Sequence, residues 1–149
     1  MIMIKKSISV LLLLCLICML AIGCGGKQIT STDGVDVDLT RLSGTMVYAE
    51  VNNMMTSAEK YMDKTIRISG PYYASYLDET DEYYHYVIIE DATACCKQGI
   101  EFIWNGEHEY PGDYPEENAR IEVTGVFQSH EVLGKTYYYL AVDEITVLD

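Results

Sequence analysis

Thr65-Ile66-Arg67-Ile68-Ser69-Gly70-Pro71-Tyr72-Tyr73-Ala74-Ser75-Tyr76-Leu77 is the stretch that decides the fold. Ile66 and Ile68, then Tyr72 and Tyr76, fall on alternate positions, the period of a strand with one buried side. Gly70-Pro71 interrupts the run, and the pair predicts a bulge or a sharp bend in one long strand. Asp78-Glu79-Thr80-Asp81-Glu82 carries no apolar residue and predicts a hairpin tip. The return strand is Tyr83 to Glu90, rich in Tyr, Val and Ile.

Toward the C-terminus, Gly99 to Trp104 predicts a third strand, and Arg120 to Ser129 and Tyr137 to Leu148 a fourth and fifth. Leu133-Gly134-Lys135 supplies the turn between the last two. The segment from Glu107 to Asn118 holds Tyr110-Pro111-Gly112-Asp113-Tyr114-Pro115, which neither a strand nor a helix accommodates. Five strands, the first long and bent at a glycine, predict a mostly β domain: a small five-stranded OB-like antiparallel barrel. An open β-sandwich is the alternative that periodicity leaves standing.

Toward the N-terminus, Val47, Val51, Met54 and Met55 recur at helical spacing, and Thr56-Ser57 offers hydroxyls for a cap. A short N-terminal helical segment, one helix or two, is expected over 45–61. Residues 25–43 are dominated by Gly, Ser, Thr and Asp, with Ile29, Val35, Val37 and Leu39 too sparse for a core, and read as a flexible tether. The domain is expected to span 44–149.

Residues 1–23 read as a signal peptide. Lys5 and Lys6 precede an apolar run from Ile8 to Ile22 that is shorter than the ~20 residues of a spanning helix. Ala21-Ile22-Gly23-Cys24 then resembles the lipobox of bacterial lipoproteins, with Ala21 where leucine is usual. The resemblance implies cleavage after Gly23 and a diacylglycerol, with acyl chains such as palmitate, on Cys24. Two chains on one residue meet the requirement for stable anchoring. The expected location is the extracytoplasmic face of the cell membrane, held there by lipid.

Removing residues 1–23 takes away Lys5 and Lys6 and leaves eight basic against twenty-three acidic residues, a net charge of −15. A surface so acidic repels phosphate backbones, so nucleic acid is not an expected partner. Cys15 and Cys18 leave as well, and with Cys24 lipidated only the adjacent pair Cys95 and Cys96 remains.

Two segments carry a further resemblance. Tyr61-Met62-Asp63-Lys64-Thr65-Ile66-Arg67-Ile68-Ser69-Gly70 resembles the opening of bacterial OB-fold proteins, with Asp63 in place of the usual glycine. Asp91-Ala92-Thr93-Ala94-Cys95-Cys96-Lys97-Gln98-Gly99-Ile100-Glu101-Phe102 is similar to a segment of uncharacterised Gram-positive lipoproteins. More distantly it is similar to the soluble tail of a two-component predicted permease family. The resemblance implies an extracytoplasmic OB-like domain and no particular activity.

Cys95 and Cys96 are the pair with the most chemical promise. With Asp91, Glu101, His85 and His108 they form a candidate metal or redox set of soft and borderline ligands for zinc or copper. Adjacent cysteines also fit packed thiols, a vicinal disulfide or an intermolecular bond. The thirteen tyrosines are the second anomaly. Tyr72, Tyr84, Tyr86 and Tyr138 are candidates for a ligand-stacking face, against the plainer reading that tyrosines fill the barrel. No Gly-rich phosphate loop, serine elbow or helical histidine pair is present, so no enzyme is expected. The expected function is a lipid-anchored binding or accessory module, with a membrane permease or envelope protein as partner. The second reading is a metal-handling or redox accessory of a transport system using Cys95 and Cys96.

Overall fold

The computed structural model describes residues 34–90 and 96–149. The signal segment, Cys24, Asp91 and Cys95 therefore lie outside the described residues. Among the described residues no helix is long and apolar enough to cross a membrane.

The protein is mostly β: one six-stranded mixed sheet with a short helix. The strands are β1 (Val37–Asp38), β2 (Thr65–Leu77), β3 (Glu82–Glu90), β4 (Lys97–Trp104), β5 (Arg120–Val132) and β6 (Lys135–Val147), and the helix is α1 (Gly44–Thr56). Their order in the sheet is β1-β2-β3-β4-β6-β5, and β2 also pairs with β5. The series β2–β3–β4–β6–β5 thus returns to β2. Pairing is antiparallel except for β1 with β2 and β4 with β6, which are parallel. The all-antiparallel, five-stranded expectation is corrected on both counts.

The bend foreseen at Gly70-Pro71 takes the form of a change of partner. Thr65–Pro71 pairs with β5, whereas Tyr72–Leu77 pairs with β3. A Cβ on Gly70 would collide with the backbone oxygen of Ile88, so only glycine lets β3 cross this closely. The register irregularity lies elsewhere. Val123 pairs with Ile145 but Gly125 with Val142, which leaves an extra residue on β6.

Alternation sends Ile66, Ile68 and Tyr72 of β2, Val87 and Ile89 of β3, and Ile100 and Phe102 of β4 inward. Ile121, Val123 and Phe127 of β5 and Leu140 and Val142 of β6 meet them in one core. Helix α1 adds Val51 and Met54, spaced to share one face. Ser43 and Ser57 make no side-chain cap on either neighbouring helix, and the Thr56 hydroxyl donates to Asn52 O.

The folded part begins earlier than Gly44. Val35 and Leu39 are buried, and Val37 and Asp38 pair with Ile66 and Arg67. Asp38 accepts from the Thr40 amide and hydroxyl and faces Arg67 Nη1 at 3.6 Å. The part of the tether from Val35 onward is therefore structured, because its sparse apolar residues alternate and need only one edge of β2. Asp63, where the resembling proteins carry glycine, has φ 62°, a left-handed conformation that aspartate adopts more readily than most residues.

Candidate functional site

Two hairpins outrun the rest of the sheet. Beyond the β2–β5 pairing, β2 and β3 continue together from Tyr72↔Val87 to Leu77↔Glu82, and β5 and β6 from Phe127↔Leu140 to Val132↔Lys135. The tip of the first is closed by the amides of Thr80 and Asp81, both donating to Leu77 O, with the Tyr76 hydroxyl donating to Asp81. Leu133 and Gly134 close the second with φ values of 49° and 76°, the primed turn that suits twisted strands. The C-terminal half of β4, Glu101 to Trp104, pairs with β6.

A cleft of about 670 Å³ has lining from both hairpin arms, from β4 and from the 105–119 loop. That loop is held to β2 by the Tyr72 amide on Ala119 O, the Asn118 amide on Tyr72 O, and the Ala74 amide on Glu117 Oε1. It thereby sets Tyr114 against His85, rings stacked at 3.9 Å, and Tyr110 against Tyr83 at 4.2 Å. Trp104 stacks on His108 at 3.6 Å and donates its indole N–H to Asp143 O.

All three histidines of the chain line this cleft, in three different settings. His85 is buried, shares a 2.8 Å hydrogen bond with the Tyr72 hydroxyl, and is pushed down to about 4 by burial. His108 lies under Trp104 with Nε2 3.2 Å from Asn105 O. His130 Nε2 lies 3.3 Å from Glu101 Oε2. Glu101 is only 6% exposed, and burial raises its pKa although His130 works in the opposite direction.

A smaller recess of about 200 Å³ shares Tyr84, Glu101 and Val132 with the main cleft. Ser75, Leu77, Tyr86 and Tyr137 complete its walls. The Tyr86 hydroxyl is pushed up to about 12, first by burial and then by the negative charge of Glu101. The two spaces together offer planar faces, a buried carboxylate and three imidazoles.

Of the candidate metal set, His85, His108 and Glu101 line the same cleft, while Asp91 and Cys95 lie outside the described residues. Cys96 is exposed and stands just before β4, five residues from Glu101, about 16 Å along an extended chain. His85 and His108 are engaged by Tyr72 and Trp104, and the described residues hold no group of three or more His, Cys, Asp or Glu side chains suited to a metal ion. Of the candidate stacking tyrosines, Tyr84 and Tyr86 line the recess. Tyr72 is fully buried, a core residue with no face for a ligand, because the even positions of β2 from Ile66 to Tyr72 point inward, although the alternation does not extend to the exposed Tyr76. Tyr138 stacks on Phe127 at 5.6 Å and packs against the core.

His130, Glu131, Trp104 and Tyr137 belong to the site without having been singled out by sequence pattern. His130 and Tyr137 are cross-strand partners of the last hairpin, a pairing the Leu133-Gly134 turn could have signalled. The chain matches no protein-family model, and comparison with curated proteins finds no significant similarity.

Proposed function

We propose that this chain is a lipid-anchored extracytoplasmic binding module that takes its ligand in the cleft between the two hairpin arms. The pairing that returns from β5 to β2 supports an OB-like barrel, closed around the core and carrying two arms on one side. The observation that carries the reading is the convergence of Tyr83, Tyr84, Trp104 and Tyr110 with Glu101 and His130 on one space of about 670 Å³. Aromatic walls with a few placed polar groups are the general form of a small-ligand site. The resemblance of Ala21-Ile22-Gly23-Cys24 to a lipobox supports the anchor. A permease or envelope protein beside the membrane is the natural partner for such a module.

Trp104 is the only tryptophan and lines the cleft, so it reports on occupancy. Titration with a panel of glycans and short peptides should change its emission for at least one class, and Trp104→Phe should abolish the signal. Silence of Trp104 across the panel, with amide chemical shifts of the cleft also unmoved, would overturn the binding reading. For the anchor, Cys24→Ser should move the chain from the membrane fraction to the soluble fraction, and unchanged fractionation would refute it.

A further inference from the structure

We propose that the recess beside Glu101 is a subsite for an alkylammonium cation. The inference rests on the cleft being a binding site and names the chemistry it selects. Three tyrosines, Tyr84, Tyr86 and Tyr137, contribute to the walls of the recess, and the Glu101 carboxylate reaches it from β4. A cation held among aromatic rings is attracted by their negative faces, and most strongly where water is excluded. Leu77 and Val132 add apolar wall suited to the methylenes that an ammonium carries.

Charge points the same way. Burying a carboxylate is costly unless it is paired and hydrogen-bonded. His130 supplies one contact, to Oε2, whereas an ionised carboxylate accepts about four hydrogen bonds. The residues lining recess and cleft include Glu82, Glu101 and Glu131 and no lysine or arginine, so apart from histidine no basic side chain faces these carboxylates. The chain's net charge of −13 would also steer cations toward it.

Size sets the limit. About 200 Å³ admits an ammonium head and a short alkyl stem, while the shared residues Tyr84, Glu101 and Val132 lead the remainder of the ligand into the larger cleft. A free diamine and the side chain of a lysine in an extended peptide present the same head.

The test is calorimetric titration of the full chain in mild detergent with 1,5-diaminopentane, a Gly-Lys-Gly peptide, its Nε-acetyl-lysine form and a neutral chitotriose. The lysine peptide should bind at least about tenfold more tightly than the acetylated one, and Glu101→Gln should lose about tenfold. Tyr84→Leu serves as the second variant should Glu101→Gln fold poorly, and it should also weaken the cation. Binding of the diamine alone assigns the cation to a free amine, and binding of only the peptide assigns it to lysine. Equal affinity for the two peptides, or full affinity in both variants, overturns the cation subsite. Chitotriose binding with Trp104 responding, and no cation binding, removes this inference and leaves the cleft reading intact. Failure of every probe, with Trp104 silent, counts against both.

Discussion

His85 makes the folded state sensitive to acid in a way that can be isolated. Its pKa falls from 6.5 to about 4 on folding, and the cause is burial. Tyr72, Phe102, Tyr110 and Tyr114 surround the ring, and no carboxylate among the described residues is near enough to hold a proton on it. A depressed folded pKa means that the unfolded chain binds the proton first. The contribution is whole above pH 6.5 and disappears as pH falls through the window from 6.5 to about 4. Linkage between these two values makes the loss about 2 kcal/mol between pH 7.5 and pH 5. Glu101 acts with the opposite sign: its raised pKa gives stability that is present below the ordinary carboxylate range and lost as pH rises. Comparison with a variant cancels that term. Replacing both partners, Tyr72→Phe with His85→Phe, removes the buried hydrogen bond without orphaning either group and keeps rings at both positions. Urea unfolding followed by Trp104 emission at pH 7.5, 6 and 5 should show the parent losing about 2 kcal/mol more than the double variant over that range. Parallel pH profiles would refute the claim that His85 is held neutral by its surroundings.

Two further outcomes follow from backbone geometry. An alanine Cβ at Gly125 would lie 2.5 Å from Ala141 O and 2.7 Å from Val142 Cγ1, so β5 and β6 must separate; Gly125→Ala should cost about 3 kcal/mol in urea unfolding, and a cost below about 1 kcal/mol would contradict the close crossing. Leu133 sits at φ 49° with its side chain exposed, so Leu133→Asn should stabilise the hairpin by about 1 kcal/mol, read as a raised urea midpoint at unchanged m-value.

Strand positions were readable because one-sided burial leaves a period of two. Ile66, Ile68 and Tyr72 predicted β2, and Gly70-Pro71 marked the place where it changes partner. What alternation cannot carry is pairing across long separations. The parallel contact of β4 with β6 joins residues thirty-eight apart and has no turn between them to announce it. β1 was missed for a related reason: two residues, Val37 and Asp38, complete an edge only because β2 is already there. Strand ends were placed short, with β5 running to Val132 and β6 starting at Lys135, because Ser129-His130-Glu131 and Lys135-Thr136 carry no apolar residue to mark a buried side.

The site was hidden by the features that make it a site. His85 stands on the inward face of β3, where alternation calls for an apolar residue, and it is accommodated only because Tyr72 and Tyr114 meet it there. Glu101 lies between Ile100 and Phe102 in β4, so strict alternation places it on the solvent side, yet it is as buried as its neighbours because the β5–β6 arm brings His130 over it. Leu133 takes a backbone conformation suited to glycine or asparagine, at the tip of the same arm. Each choice opposes the local rule, and His85, Glu101 and Leu133 all line one cleft. Other departures lie elsewhere, with Asp38 buried at the β1 edge and Asp63 at φ 62°. His85 and Glu101 nonetheless meet at one space, where burying an imidazole and a carboxylate lowers stability, a cost that the proposed ligand would offset.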